Sequence, residues 1–262
     1  MNEIFLLIAL LGACAGSLMN MVVWRLPRIV LQQEGPEFSL WLPPSHCPRC
    51  RSPLAWYDNL PLLSWLWLRG RGRCCGQQIG LRYLLTEMAC VLLSLLMAWI
   101  FPADGQLAAA LLLSWFLLAL SLIDRDHQLL PDALTLPLLW LGIVCQLAGW
   151  LPDITLEQSV TGAMAGYLSL WLLATGYRLL RGKEALGMGD AKLLAALGAW
   201  LGWQPLPLLL LLASASGIVW LAAGRVLTGR SLAAPFPFGP SLASAGGLLF
   251  IAENSALLRQ LY

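Results

Sequence analysis

Leu107-Ala-Ala-Ala-Leu-Leu-Leu-Ser-Trp-Phe-Leu-Leu-Ala-Leu-Ser-Leu-Ile123 runs for seventeen residues without a charge and closes on Asp124-Arg-Asp126-His127-Gln-Leu-Leu-Pro131-Asp132. As a helix that run covers about 25 Å, close to the roughly 30 Å hydrocarbon core of a bilayer. Comparable runs stand on both sides of it. Backbone groups left unpaired in lipid are too costly for anything but helices or closed barrels, and these runs exceed the roughly 9–11 residues of a barrel strand. Helices are expected near 4–24, 84–101, 107–123, 133–150, 159–180, 191–203, 207–223 and 238–252, the sixth short enough to be tilted or only partly spanning. The whole chain agrees: its 262 residues are 59% hydrophobic and 11% charged, against about 25% charged in soluble domains, with a mean hydropathy of +0.73. A soluble monomer is excluded. The fold class expected is an all-α polytopic membrane protein of about eight transmembrane helices with one small cytoplasmic, cysteine-containing insert.

Charge then orients the chain. With the N-terminus outside, residues 25–83, 124–132, 181–190 and 224–237 and the adjoining helix ends face the cytoplasm. That side holds fifteen of the sixteen Lys and Arg residues, Arg259 being the exception, while Asp104, Asp153 and Glu157 fall in the opposite loops. Basic residues in short loops stay inside, so the distribution fixes the orientation. A cleaved secretory signal carries its basic residues before the apolar run. Here Glu3 precedes the run and Arg25 and Arg28 follow it, so a retained first helix is expected. The division that follows is a first transmembrane helix over 1–24, a cytoplasmic module over 25–83 and a transmembrane core over 84–262.

Residues 25–83 hold seven of the sixteen prolines and four of the seven cysteines, as Cys47-Pro-Arg-Cys50 and Cys74-Cys75. Thiols on the cytoplasmic side stay reduced, so clustered cysteines read as zinc ligands before disulfides. A structural zinc takes four ligands in a tetrahedron, commonly from two CxxC knuckles. The first knuckle is present, but adjacent cysteines seldom aim both sulfurs at one ion without bending the backbone. The set open to a metal is Cys47, Cys50 and Cys75 with either Cys74 or His46. The alternative is a metal-free module packed through Trp56, Trp65 and Trp67. Cys14, Cys90 and Cys145 lie in apolar helices, where a thiol behaves as a small hydrophobe.

Acids at the edge of a hydrophobic span are costly and therefore candidates for function. Asp124 closes the run quoted first, and Gly187-Met-Gly189-Asp190-Ala-Lys192 opens the short helix expected over 191–203. Both ends face the same compartment. Gly187 and Gly189 leave room for close backbone approach beside Asp190, and a helix N-terminus favours a carboxylate there. Two acids sharing one site cannot ionise with equal ease, which leaves an acid beside a base near working pH. Such a pair can activate water against a peptide carbonyl. The competing reading makes these acids interfacial charges paired with Arg125, Lys183 or Lys192.

With these residues in view the chain resembles the type IV prepilin peptidases, membrane aspartic proteases of the GxGD class. The pieces that carry the resemblance are Gly16-Ser17-Leu-Met-Asn20, Arg25-Leu-Pro27, the cysteine module, Asn59-Leu-Pro-Leu-Leu-Ser-Trp65, Arg82-Tyr83 with Glu87, Ile123-Asp124 through Leu-Pro131-Asp132, Gly187-Met-Gly-Asp190 with Lys192, and Pro237-Phe-Gly-Pro240. Their order and spacing run along nearly the whole chain. The resemblance implies a catalytic pair of Asp124 and Asp190. It prefers Asp124 to Asp126 because the family's acid follows directly on the apolar end of its helix, here Ile123. Gly187, Gly189, Lys192, Glu87 and Asp132 are implied as substrate-binding or supporting residues, with Asp132 expected to cap the helix that follows it.

The substrate implied is a prepilin or type II secretion pseudopilin, with a short basic leader ending in glycine, then phenylalanine and an apolar helix. The location implied is the bacterial inner membrane, with the site at the cytoplasmic face and the N-terminus periplasmic. The lipid bilayer is the other partner. N-methylation of the new N-terminus with S-adenosylmethionine is implied as a second activity, although no strand and glycine-rich helix start marks a nucleotide site. The family's second CxxC would occupy positions 72 and 75, where this chain has Gly72 and Cys75 with an extra Cys74. Two other readings compete. A proton-coupled transporter would use Asp124 and Asp190 as a relay, although no internal repeat supports it. A noncatalytic assembly factor would dock through the Arg-rich insert. Nucleic acid is not expected as a partner, since topology alone accounts for the basic residues.

Overall fold

A computed structural model of the chain describes residues 2–35, 37–47, 50–182, 187–228 and 236–254, without the side chains of Asn2 and Trp56. Of the basic residues expected on the cytoplasmic side, Arg49, Lys183 and Arg230 lie outside the described residues, as does Arg259. The helices are α1 (Asn2–Val30), α2 (Leu63–Trp67), α3 (Leu81–Ile100), α4 (Gly105–His127), α5 (Asp132–Leu147), α6 (Leu156–Arg181), α7 (Met188–Leu201), α8 (Leu206–Thr228) and α9 (Gly239–Asn254). Each expected span has its helix, and α2 is an addition inside the insert. Four of them, α1, α3, α4 and α8, are long and apolar enough to cross a membrane. The chain is an all-helical polytopic membrane protein.

Three boundaries differ from expectation for one reason, among them that of α8, which passes 223 and Arg225 to reach Thr228. α1 was expected to end before Arg25 but continues through Arg25, Pro27 and Arg28 to Val30, and α4 continues past Ile123 to His127. Charge ends a transmembrane stretch but not a helix, since backbone hydrogen bonding continues into the headgroup layer.

The chain divides into two compact units, Met1–Trp99 and Ile100–Tyr262. In the first, α1 meets α3 through small residues: a Cβ on Gly16 would lie 2.7 Å from Glu87 Cα, and one on Gly12 would lie 2.7 Å from Ser94 Oγ. The insert is tied to these helices by polar bonds. Buried Arg25 donates to the carbonyls of Ser39, Leu40 and Pro43 at 3.1, 3.2 and 2.7 Å. The Leu62 amide donates to Glu87 Oε2 at 2.8 Å, and between the helices themselves Asn20 Nδ2 of α1 donates to the Tyr83 carbonyl of α3 at 3.0 Å.

The second unit is built around α7. At 14 residues this helix covers only about 21 Å, and Ala191 and every residue from Leu193 to Leu201 are buried. α6 approaches it so closely that Gly162 meets the Gly198 carbonyl and Gly166 meets that of Leu194. Ser159 Oγ donates to the Ala199 carbonyl at 2.6 Å, and Trp200 Nε1 donates to the Leu138 carbonyl of α5 at 2.8 Å. On another side, Phe250 of α9 meets Trp200 edge-on at 6.0 Å. A helix enclosed in this way holds its N-terminal turn, and therefore Asp190, in a fixed place.

Candidate active site

Asp124 lies in the last turn of α4, which stops when Gln128 takes the left-handed conformation at φ 52°. The Asp124 side chain is buried, 5% exposed. A helix C-terminus is the unfavourable end for a carboxylate, and a different helix compensates: the Gly239 N–H, at the start of α9, donates to Asp124 Oδ2 at 2.8 Å. Asp126 is exposed and faces the Arg125 guanidinium at 3.5 Å.

Asp190 arrives from the other direction, in the first turn of α7, where Gly187 is the N-cap. The two glycines have different uses. A Cβ on Gly189 would come within 2.9 Å of Leu130 Cβ, so glycine is needed for the helix start to lie against the loop that leaves α4. At Gly187 a Cβ would sit 3.5 Å from Asp190 Oδ2, an ordinary contact. The result is that the start of α7, with Asp190, lies beside the loop that follows Asp124. Two carboxylates from opposite helix ends, one buried and one half-buried, share one end of the unit. Both receive a helix N-terminus, that of α9 for Asp124 and that of α7 for Asp190.

The remaining expected residues separate. Asp132 does not cap α5: the N-cap is Pro131, with no side-chain cap bond, and Asp132 is the first helical residue. Its carboxylate takes the Lys192 ammonium instead, at 2.6 and 2.8 Å, because a lysine one turn along α7 offers a full charge where the α5 amides offer only dipoles. Glu87 belongs to the first unit, where it accepts from Leu62 and from Asn20. Sequence reasoning gave Gly239 no role, although the Phe238-Gly239-Pro240 step at a helix start was visible as a signal.

In the first unit the four cysteines converge. Cys47, Cys50, Cys74 and Cys75 place their sulfurs within 4.8 Å of one another, with Cys47 to Cys75 at 3.6 Å, Cys50 to Cys74 at 3.3 Å and Cys74 to Cys75 at 3.8 Å. Four thiolates about 2.3 Å from a tetrahedral ion would stand about 3.8 Å apart, so the set fits a metal. The adjacent pair works because the backbone does bend there. Gly72 donates to the Gln77 carbonyl and Gly76, at φ 66°, donates to that of Gly72. His46 turns Nδ1 to the Pro44 carbonyl at 2.9 Å, which leaves Cys74 as the fourth member. Packing of the module through its tryptophans is not general, since Trp67 is 85% exposed. The thiols titrate unequally. The Ser52 hydroxyl and amide draw Cys50 down to about 6. At Cys75 the Gln77 amide lowers the thiol, but the contact with Cys47 and crowding outweigh it and push it up to about 11.

Comparison with known proteins adds the context of this geometry. A family model described as the bacterial peptidase A24 N-terminal domain matches residues 10–101, and one described as the type IV leader peptidase family matches residues 111–222. The chain is 46% identical over 253 residues to a prepilin leader peptidase/N-methyltransferase of Pectobacterium carotovorum subsp. carotovorum, covering 91% of this chain and 90% of the relative. A protein of the same name from Aeromonas hydrophila is 46% identical, covering 96% and 91%. One from Klebsiella pneumoniae is 53% identical over 203 residues, covering 78% and 87%. No solved structure matches the chain.

Proposed function

The chain belongs to the type IV leader peptidase family, and on that premise we propose that it is a membrane aspartic endopeptidase whose catalytic pair is Asp124 and Asp190. Its substrate is a prepilin or pseudopilin, cut between a short basic leader and an apolar helix at the cytoplasmic face of the inner membrane. One observation carries this reading: two acids separated by 66 positions in an apolar chain stand at one end of the second unit, Asp124 in the last turn of α4 and Asp190 in the first turn of α7, where Gly189 lies against Leu130 of the loop that leaves α4. Both acids stand at helix ends, away from mid-membrane, which suits a cut at the junction where a substrate helix leaves the bilayer. Burial favours Asp124 over exposed Asp126 as the partner of Asp190.

The chemistry follows from the pair. One carboxylate removes a proton from a water molecule as its oxygen attacks the scissile carbonyl carbon. The other, carrying a proton, gives it to the carbonyl oxygen as negative charge develops there. Collapse of the tetrahedral intermediate breaks the C–N bond: the departing amine takes up the proton the base acquired, and the hydroxyl formed from the carbonyl oxygen returns its proton to the other carboxylate. The protons belong to the pair rather than to either residue. The four-cysteine cluster is suited to zinc, which Cys47, Cys50, Cys74 and Cys75 would hold and which would supply folding energy to the insert. N-methylation, named in the relatives, would draw its methyl group from S-adenosylmethionine. Among the described residues no strand and glycine-rich helix start forms a nucleotide cradle, and no residue is assigned to that group.

The test is cleavage of a purified prepilin by the detergent-solubilised chain. Asp124→Asn and Asp190→Asn each keep the side-chain shape and lose the acid, and each is expected to lower the rate at least about 1,000-fold, whereas Asp126→Asn stays within about threefold. Full cleavage by the Asp190→Asn protein would sink the mechanism.

A further inference from the structure

We infer that Gly239 is a positioning residue for cleavage: its backbone N–H holds Asp124 Oδ2, and its lack of a side chain makes the space in which that carboxylate sits. This rests on the reading of Asp124 as one of the catalytic pair. α4 offers its own acid no donor. At a helix C-terminus the neighbouring free backbone groups are carbonyls, which repel a carboxylate. The side chain is also buried, so bulk water does not supply fixed donors. A donor must come from elsewhere in the fold, and it comes from 115 positions along the chain.

The first turn of α9 is arranged to offer one. Of its first four positions, Gly239 to Leu242, Pro240 has no N–H, and those of Ser241 and Leu242 both donate to the Phe238 carbonyl at 3.1 Å. Gly239 is left with the one uncommitted N–H, and Asp124 receives it. The glycine is required for space and not for an unusual backbone angle. A Cβ there would lie 2.7 Å from Asp124 Oδ2, 3.0 Å from Cγ and 3.1 Å from Cβ, so any side chain displaces the carboxylate or α9. With Oδ2 engaged, Oδ1 is the oxygen left to act on substrate, and a rotation that would exchange the two is prevented.

The experiment compares the full-length wild type with Gly239→Ala, Gly247→Ala and Asp124→Asn, using a peptide of basic leader, glycine, phenylalanine and apolar helix. Gly247 is on the same helix but a Cβ there meets Leu117 at an ordinary 3.7 Å, so alanine is expected to leave the rate within about twofold. Loss of a charge-assisted bond with displacement of its acceptor lowers kcat in Gly239→Ala by about 10- to 100-fold with KM within about twofold. Stability gives a second reading that needs no catalysis. Gly239→Ala lowers Tm in the wild type, and most of that drop disappears in an Asp124→Ala background, where two of the three overlapping atoms are gone.

Wild-type kcat in Gly239→Ala beside an inactive Asp124→Asn protein overturns the inference and leaves the catalytic pair standing. An active Asp124→Asn protein removes the pair and the inference together. A loss confined to KM, or an equal Tm drop in both backgrounds, also overturns it. If Gly239→Ala alone fails to fold, the double variant decides: folding of Asp124→Ala/Gly239→Ala supports the overlap described, and its failure rejects it.

Discussion

The insert of the first unit and the helix bundle of the second hold themselves together by different means. In the insert the decisive bonds are polar and few: Arg25 on three carbonyls, Glu87 on the Leu62 amide, and four cysteines on one point. In Ile100–Tyr262, as where Gly12 and Gly16 of α1 meet α3, small residues bring helices close: Gly162 against Gly198 and Gly166 against Leu194, with Trp200 enclosed among α5, α7 and α9. The difference follows from size and solvent. An insert of about fifty residues between Val30 and Leu81 cannot bury enough apolar surface to order itself, so it depends on directional bonds and a cysteine cluster. A helix bundle in lipid gains nothing by hiding apolar groups from lipid, so it depends on small residues that bring backbones into contact. Damage to the second unit should therefore be global, and damage to the first local.

The largest effect expected is at the α6–α7 contact. Gly198→Leu places a branched side chain where the Gly162 carbonyl lies. Overpacking of a tight core costs about 1–3 kcal/mol or more when relaxation is blocked, and backbone facing backbone has little room to relax. The variant should lose more than about 3 kcal/mol, read as a loss of monodisperse protein or a fall in Tm in detergent. Cleavage would fall with it, since α7 carries Asp190. A Gly198→Leu protein with unchanged Tm would break the comparison at its strongest point.

An intermediate and localised effect is expected at the cysteines. On the proposed zinc site, wild type should carry about one zinc per chain and Cys47→Ser less, measured by metal analysis of the purified protein. It should also speed tryptic cutting at Arg51, Arg69 and Arg71 by at least about tenfold as the insert opens. Prepilin cleavage should survive within about fivefold, because Asp124 and Asp190 draw on the other unit for their positions. Loss of proteolysis equal to that of Asp190→Asn would show that the units are not separable in function.

The sequence displayed the parts of this molecule that depend on side-chain type and hid those that depend on backbone geometry. Eight helices were legible because apolar runs of bilayer length admit little else. Asp124 and Asp190 stood out as candidates because a carboxylate at the edge of such a run is conspicuous. Gly239 was not, since what it contributes is an N–H that every residue but proline also has, and its partner is 115 positions away. The adjacent Cys74 and Cys75 read as a damaged knuckle because the turn through Gly72 and Gly76 that lets both sulfurs face inward is a matter of φ and ψ. Asp132 read as a cap because its place before an apolar run is where caps stand; no periodicity shows that Lys192 lies within 2.6 Å.

That ion pair gives the smallest effect and sharpens the comparison from inside the second unit, where it is a charged contact on a bundle packed mainly through small and apolar residues. Asp132 opens α5, where the helix dipole already favours its charge, and Lys192 follows Asp190 by two residues. Their side chains are 56% and 30% exposed, so water and salt screen them, and such pairs contribute about 0.2–1 kcal/mol. Asp132→Asn and Lys192→Met should each lower Tm by no more than that contribution allows, should be non-additive when combined, and should change kcat by less than about threefold. Raising salt should erase most of the difference from wild type. A tenfold or larger fall in kcat for Lys192→Met, with Tm and the Asp132→Asn protein near wild type, would give Lys192 a direct part in cleavage and make the polar contact as decisive in this unit as Arg25 is in the other.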